Sequence, residues 1–143
     1  MAPLTELSEL SELTKDQSYA IADSLAQASS LVLELRIRER EALAPDERAL
    51  LEQYENHLDQ MVALFRAYGI YLTAEGAEQA RVDIEGAIAK GKSQLKRIAD
   101  IKAAIGTAAR LVDLGAAILS RDPFAIGEAA ASLRARPKKD AQA

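Results

Sequence analysis

Few residues of this chain have types that do chemistry, and their spacing argues against most of it. There is one histidine, His57, with Glu52, Glu55 and Asp59 at helical distances from it. A carboxylate-bridged metal pair in a helical bundle needs Glu-x-x-His on two helices. Three residues before His57 stands Tyr54, and no second histidine exists to complete a ligand set. The chain has no cysteine, so disulfides and thiolate metal sites are excluded. No Asp-rich loop with a central glycine precedes a glutamate at the EF-hand offset. Alone beside Leu58, His57 reads as a packed or solvated helix residue rather than a general base.

One segment matches a phosphate-binding pattern formally. Gly86-Ala-Ile-Ala-Lys-Gly91-Lys92-Ser93 has the Gly-x4-Gly-Lys-Ser spacing. That motif works only as a loop between a buried strand and a helix, where its free backbone N–H groups cradle phosphates. Here Glu78 to Glu85 already carries helical periodicity and Ile88 continues it, so nucleotide binding is not expected. Lys90, Lys92, Lys96, Arg97 and Lys102 lie within 13 residues, with Arg134, Arg136, Lys138 and Lys139 further on. Phosphate contacts need such charge. No aromatic interleaves these lysines and the net charge is −4, so they read as a solvated helix face rather than a nucleic-acid surface.

Any of these side chains must be positioned by helices. Alanine supplies 29 residues, there is no tryptophan, and the aromatics are four tyrosines with Phe65 and Phe124. Strands favour β-branched and aromatic residues, so the fold class expected is all-α: an antiparallel helical bundle forming a single domain over 1–143. Leu4, Leu7, Leu10 and Leu13 make residues 1–13 a docking arm or short helix. Thr14 and Gln17 form a capping box opening a helix over 15–43, with a seam of Ile21, Leu25, Ala28, Val32 and Leu35, widened by Leu31, Leu33 and Ile37. Pro45 at a first helical position, followed by Asp46 and Glu47, opens a helix over 45–68. Its seam is Leu51, Tyr54, Leu58, Met61, Phe65 and Tyr68, and Gly69 is its left-handed C-cap. The apolar link Ile70-Tyr71-Leu72 plugs the end of the bundle.

Thr73 caps the longest run, 73–121, which contains no proline. Its seam is Ile84, Ile88, Leu95, Ile98, Ile101, Ile105, Ala108, Val112, Gly115 and Leu119. The step from Ile98 to Ile101 slips in phase, which marks a kink or break near Asp100–Gly106. As one rod this helix spans about 70 Å, more than the first two helices cover, and the uncovered part is the reason to expect a homodimer. Gly86, Gly91 and Gly106 read as close-approach points. Asp122 and Pro123 open a short last helix over 123–135 that folds back, and 136–143 reads as a flexible basic tail.

Charge is unevenly spread: residues 1–85 hold 17 acids and 7 bases, while 86–143 hold 5 acids and 11 bases. The N-terminus has acids where a secretion signal needs positive charge and an apolar run, so a cytoplasmic protein is expected. The functional expectation is a non-enzymatic protein–protein interaction module of the adaptor, inhibitor, chaperone or immunity kind, with a protein partner and no cofactor or metal. Its candidate partner-binding acidic face is Glu34, Glu39, Glu41, Glu52, Glu55 and Asp59. The alternative is a membrane-engaging protein, pore-forming or membrane-remodelling, using the apolar hairpin 103–133 with Ile105, Leu111, Val112, Leu114, Ile118, Phe124 and Ile126. Small residues abound there, as where helices pack in lipid. Arg110 and Asp113 interrupt its first helix, and a pairing at i, i+3 lessens their burial cost.

Overall fold

A computed structural model describes residues 10–12, 15–73, 76–97 and 100–135. The chain is all-α, with five helices and one short ribbon among these residues. In chain order the elements are β1 Leu10–Glu12, α1 Lys15–Arg38, α2 Pro45–Tyr68, β2 Tyr71–Thr73, α3 Ala77–Arg97, α4 Ile101–Ser120 and α5 Pro123–Arg134. The first four helices form a ring in the order α1, α2, α4, α3, and α5 lies across α3 and α4. Short turns join α1 to α2 and α3 to α4, which makes each pair antiparallel.

The seams of α1 and α2 follow the expected periodicity. Ile21, Leu25, Ala28, Val32 and Leu35 are buried, as are Leu51, Leu58, Met61 and Phe65. Leu33, Ile37 and Tyr68 are exposed instead, so each seam is narrower than the apolar pattern implied. Helix α1 ends at Arg38, not at residue 43; a turn follows that accepts Leu43 N–H at Glu39 O, 3.1 Å, and buries Leu43. Ala44, at the N-cap of α2, donates its N–H to Glu47 Oε1 at 2.8 Å, since alanine has no side-chain oxygen to offer. Gly69 closes α2 with its N–H on Phe65 O, but at φ 77° and ψ −177° it is an extended positive-φ glycine rather than the left-handed helical cap expected.

The long rod is two helices. Asp100 caps α4 through a carboxylate that accepts Lys102 N–H at 3.0 Å, so the chain reverses at the near edge of the expected break. That restart shifts the helical phase. The buried face of α4 is Ala104, Thr107, Ala108, Leu111, Leu114, Gly115 and Ile118. Ile101, Ile105 and Val112 are half-buried and Leu119 is exposed, because a seam carried over from α3 loses register at a new cap. Folding α4 back also removes the uncovered rod from which dimerisation was expected. Asp122 caps α5 as anticipated, accepting Phe124 N–H at 3.0 Å.

Two of the glycines in α3 and α4 mark close approach. A Cβ on Gly91 would lie 3.0 Å from Leu111 Cδ2 and 3.3 Å from Leu133 Cδ2, where α3, α4 and α5 meet. A Cβ on Gly115 would lie 2.2 Å from Met61 Sδ, where α4 meets α2. Gly86 and Gly106 face only the ends of Arg134 and Arg110, so the expectation of tight packing there does not hold.

The N-terminal arm is a strand where it is described: β1 pairs antiparallel with β2, Leu10 opposite Thr73 and Glu12 opposite Tyr71. The chain after Gly69 is therefore extended ribbon rather than a plain loop, and Ile70 is buried as a plug. Thr73 lies in β2 rather than at a helix cap. The expectations for Thr14, Ile98, residues 1–9 and the tail 136–143 fall outside the described residues.

Candidate functional site

The residues that looked chemically suggestive are dispersed. His57 is exposed on α2. No group of three or more His, Cys, Asp or Glu side chains that could hold a metal occurs among the described residues. Gly86 to Ser93 lies wholly inside α3, where the backbone N–H groups belong to the helix. Lys92 Nζ donates to Gln27 Oε1 at 2.6 Å and so ties α3 to α1. Arg97 donates to Ser93 Oγ, while Lys90, Lys96 and Lys102 are exposed.

The acidic face is partly an interhelical latch. Arg36 on α1 donates through Nε and Nη2 to Glu55 Oε1 at 3.1 and 2.7 Å, and through Nη1 to Glu52 Oε2 at 3.3 Å. The Arg36 and Glu55 side chains are only 17% and 14% exposed, so much of this pair is shielded from water. Asp59 accepts Ser29 Oγ at 2.7 Å, and Glu39 accepts Arg38 Nε. Glu34 and Glu41 are exposed and have no ion-pair partner among the described residues. Four of the six acids thus spend their charge within the chain.

The hairpin residues divide similarly. Leu111, Leu114, Ile118 and Ile126 are core, Ile105 and Val112 are half-buried, and Phe124 is exposed. Among the described residues Arg110 and Asp113 form no ion pair; Arg110 leans back over Gly106 and Asp113 faces solvent.

A different site stands at the end of the bundle that carries β2. The C-termini of α2 and α4 enclose a cavity of about 200 Å³. Phe65 and Ile118, both buried, are its floor, and Leu64, Tyr68, Tyr71 and Leu119 are its walls. Arg121 closes the rim with its guanidinium 5.6 Å from the centre of the Tyr71 ring. Tyr68 and Phe124 are each 72% exposed, and Leu64 and Leu119 are also exposed. Large apolar side chains left in water at one end of a molecule mark an interaction site more often than chance.

Arg121 sharpens that observation. It is the only non-glycine residue with positive φ among those described, at φ 63° and ψ 18°. This left-handed position after a helix normally holds glycine, and a side chain there costs about 1 kcal/mol. The strain holds a guanidinium over the cavity mouth, and no carboxylate among the described residues pairs with it. Sequence reasoning missed Leu64, Tyr68, Leu119 and Arg121 as site residues. The available signal was an arginine rather than a glycine between the α4 run and Asp122-Pro123. No protein-family model, curated protein or solved structure matches this chain.

Proposed function

We propose that this chain is a non-enzymatic protein-interaction module that docks through its apolar end. The cavity between the ends of α2 and α4 carries the reading. At about 200 Å³ it is smaller than the ~300–1,000 Å³ of a small-molecule site. It is large enough for one apolar side chain, the kind of anchor that dominates protein interfaces. Aromatic walls with an arginine at the rim match the side-chain types enriched at such anchors. Its place of action in this reading is the cytoplasm.

A photo-crosslinking amino acid in place of Tyr68 tests this in cells that make the protein. Irradiation should give a discrete protein adduct from position 68 and none from Lys90, an exposed control on α3. No adduct from position 68 overturns the reading.

The membrane reading keeps one supporting observation. Helix α4 is long and apolar enough to cross a bilayer by length and composition, with a mean hydropathy of 1.4. It requires Leu111, Leu114 and Ile118 to leave the core. Co-sedimentation with anionic liposomes at low salt separates the two readings, and absence of binding removes the second.

A further inference from the structure

We propose that the occupant of the end cleft is a second copy of this chain, related by a two-fold axis, with Phe124 of each copy seated in the cleft of the other. The proposal rests on reading the cleft as a docking site, and it commits that site to one partner. A two-fold interface requires a surface that is complementary to itself. This end of the bundle has both halves of such a fit. The hole is the cavity walled by Leu64, Tyr68 and Leu119. The knob is Phe124, 72% exposed at the start of α5, three residues along the chain from the rim residue Arg121. One phenyl ring matches the cavity of about 200 Å³ without requiring it to open further.

Charge is self-complementary in the same place. Arg121 and Asp122 are adjacent, both exposed, and opposite in sign. A two-fold axis near this turn sets Arg121 of one copy against Asp122 of the other, twice. Asp122 can accept a second hydrogen bond while it caps Phe124 N–H, because a carboxylate offers about four lone-pair directions. A net charge of −4 on a chain of 143 residues opposes self-association only weakly.

The size of the patch sets the class of interface. Tyr68, Phe124, Leu64 and Leu119 together offer roughly 450 Å² of surface per copy, taking aromatic side chains at about 200 Å² each. That puts the pair near the ~1,000 Å² lower bound of specific interfaces. An interface of this size belongs with the weak, transient associations.

Sedimentation of the purified full chain, from about 1 µM to about 1 mM, tests this. The mass should rise with concentration from 15.4 kDa toward twice that value. Phe124→Ala, at an exposed position, should fold normally and weaken the dimer at least about tenfold. Val82→Ala, at an exposed apolar residue on α3, should leave it unchanged. A monomer at every concentration overturns the proposal, as does a dimer insensitive to Phe124→Ala. If the chain is monomeric and Tyr68 crosslinks to a different protein, the docking reading survives and the second copy is excluded. If there is neither dimer nor adduct, both fall.

Discussion

Replacing Gly115 with alanine sets a methyl group against Met61, and the outcome follows from distances. The added Cβ falls 2.2 Å from Met61 Sδ and 2.9 Å from its Cε, with Cγ at 3.7 Å. Carbon contacts are comfortable near 3.5–4.0 Å, so the end of the thioether must retreat by more than about 1 Å. Met61 is buried, so its thioether end must retreat within a filled core. Overpacking costs about 1–3 kcal/mol. Alanine returns about 1 kcal/mol of helix propensity. Gly115→Ala should therefore destabilise by about 1 kcal/mol, less than a typical core truncation. Met61→Ala alone removes a buried side chain and should cost about 2–3 kcal/mol. In the double variant the new methyl enters the space that methionine vacates. The total should then be about 1–1.5 kcal/mol, well below the sum of the singles. Urea unfolding followed by far-ultraviolet circular dichroism gives all the legs of the cycle. Additivity within about 0.5 kcal/mol would refute a close approach of α2 and α4 at this point.

Other substitutions probe the latch, the turn and a buried hydroxyl. Arg36→Met and Glu55→Gln should show a coupling of about 1–2 kcal/mol, above an exposed pair because both side chains are largely shielded; a coupling under about 0.3 kcal/mol would mean a solvated pair. Arg121→Gly relieves left-handed strain and loses the contact with Tyr71, each worth about 1 kcal/mol or less, so the melting temperature should stay nearly constant while docking weakens. Among the described residues Ser18 Oγ is buried with no hydrogen-bond partner, so Ser18→Ala should stabilise by about 1 kcal/mol in a thermal melt; a loss would reveal a bond to that hydroxyl. The Glu78 carboxyl is held below its ordinary range, first by its hydrogen bond from Arg81 and then by that residue's charge. A depressed carboxylate contributes stability above the unfolded range and loses it as pH falls through the folded value. In an NMR titration Glu78 should therefore protonate at lower pH than exposed glutamates, and Arg81→Gln should restore it.

Local periodicity carried most of the fold. The seams of α1 and α2, the helix starts at Pro45 and Asp122 and the stop at Gly69 are short-range signals, and each depends on residues within one or two turns. The phase of α4 was not legible because it restarts at Asp100, and counting from α3 carries the wrong origin across a reversal. Strand β1 was hidden because its partner β2 is about sixty residues away and its length gives no alternation to read. The end cleft was invisible for a related reason. Leu64 and Leu119 belong to different helices, and only the ring order of the bundle brings them to one cavity. The acids looked like a free face because a sequence shows charge without showing Arg36 across from it.

The small ribbon sets an order of assembly. Closing a loop of some sixty residues costs roughly 3–4 kcal/mol of chain entropy, more than three residue pairs supply by themselves. Helices α1 and α2 make their contacts between neighbours in sequence, which is the fast kind of pairing. Once they stand antiparallel, Leu10 and Thr73 already share an end, and the closure cost has been met by the hairpin. The ribbon is thus the last stitch of the first half of the chain. Its amides should gain exchange protection after those of Leu25 and Leu58, and lose it first.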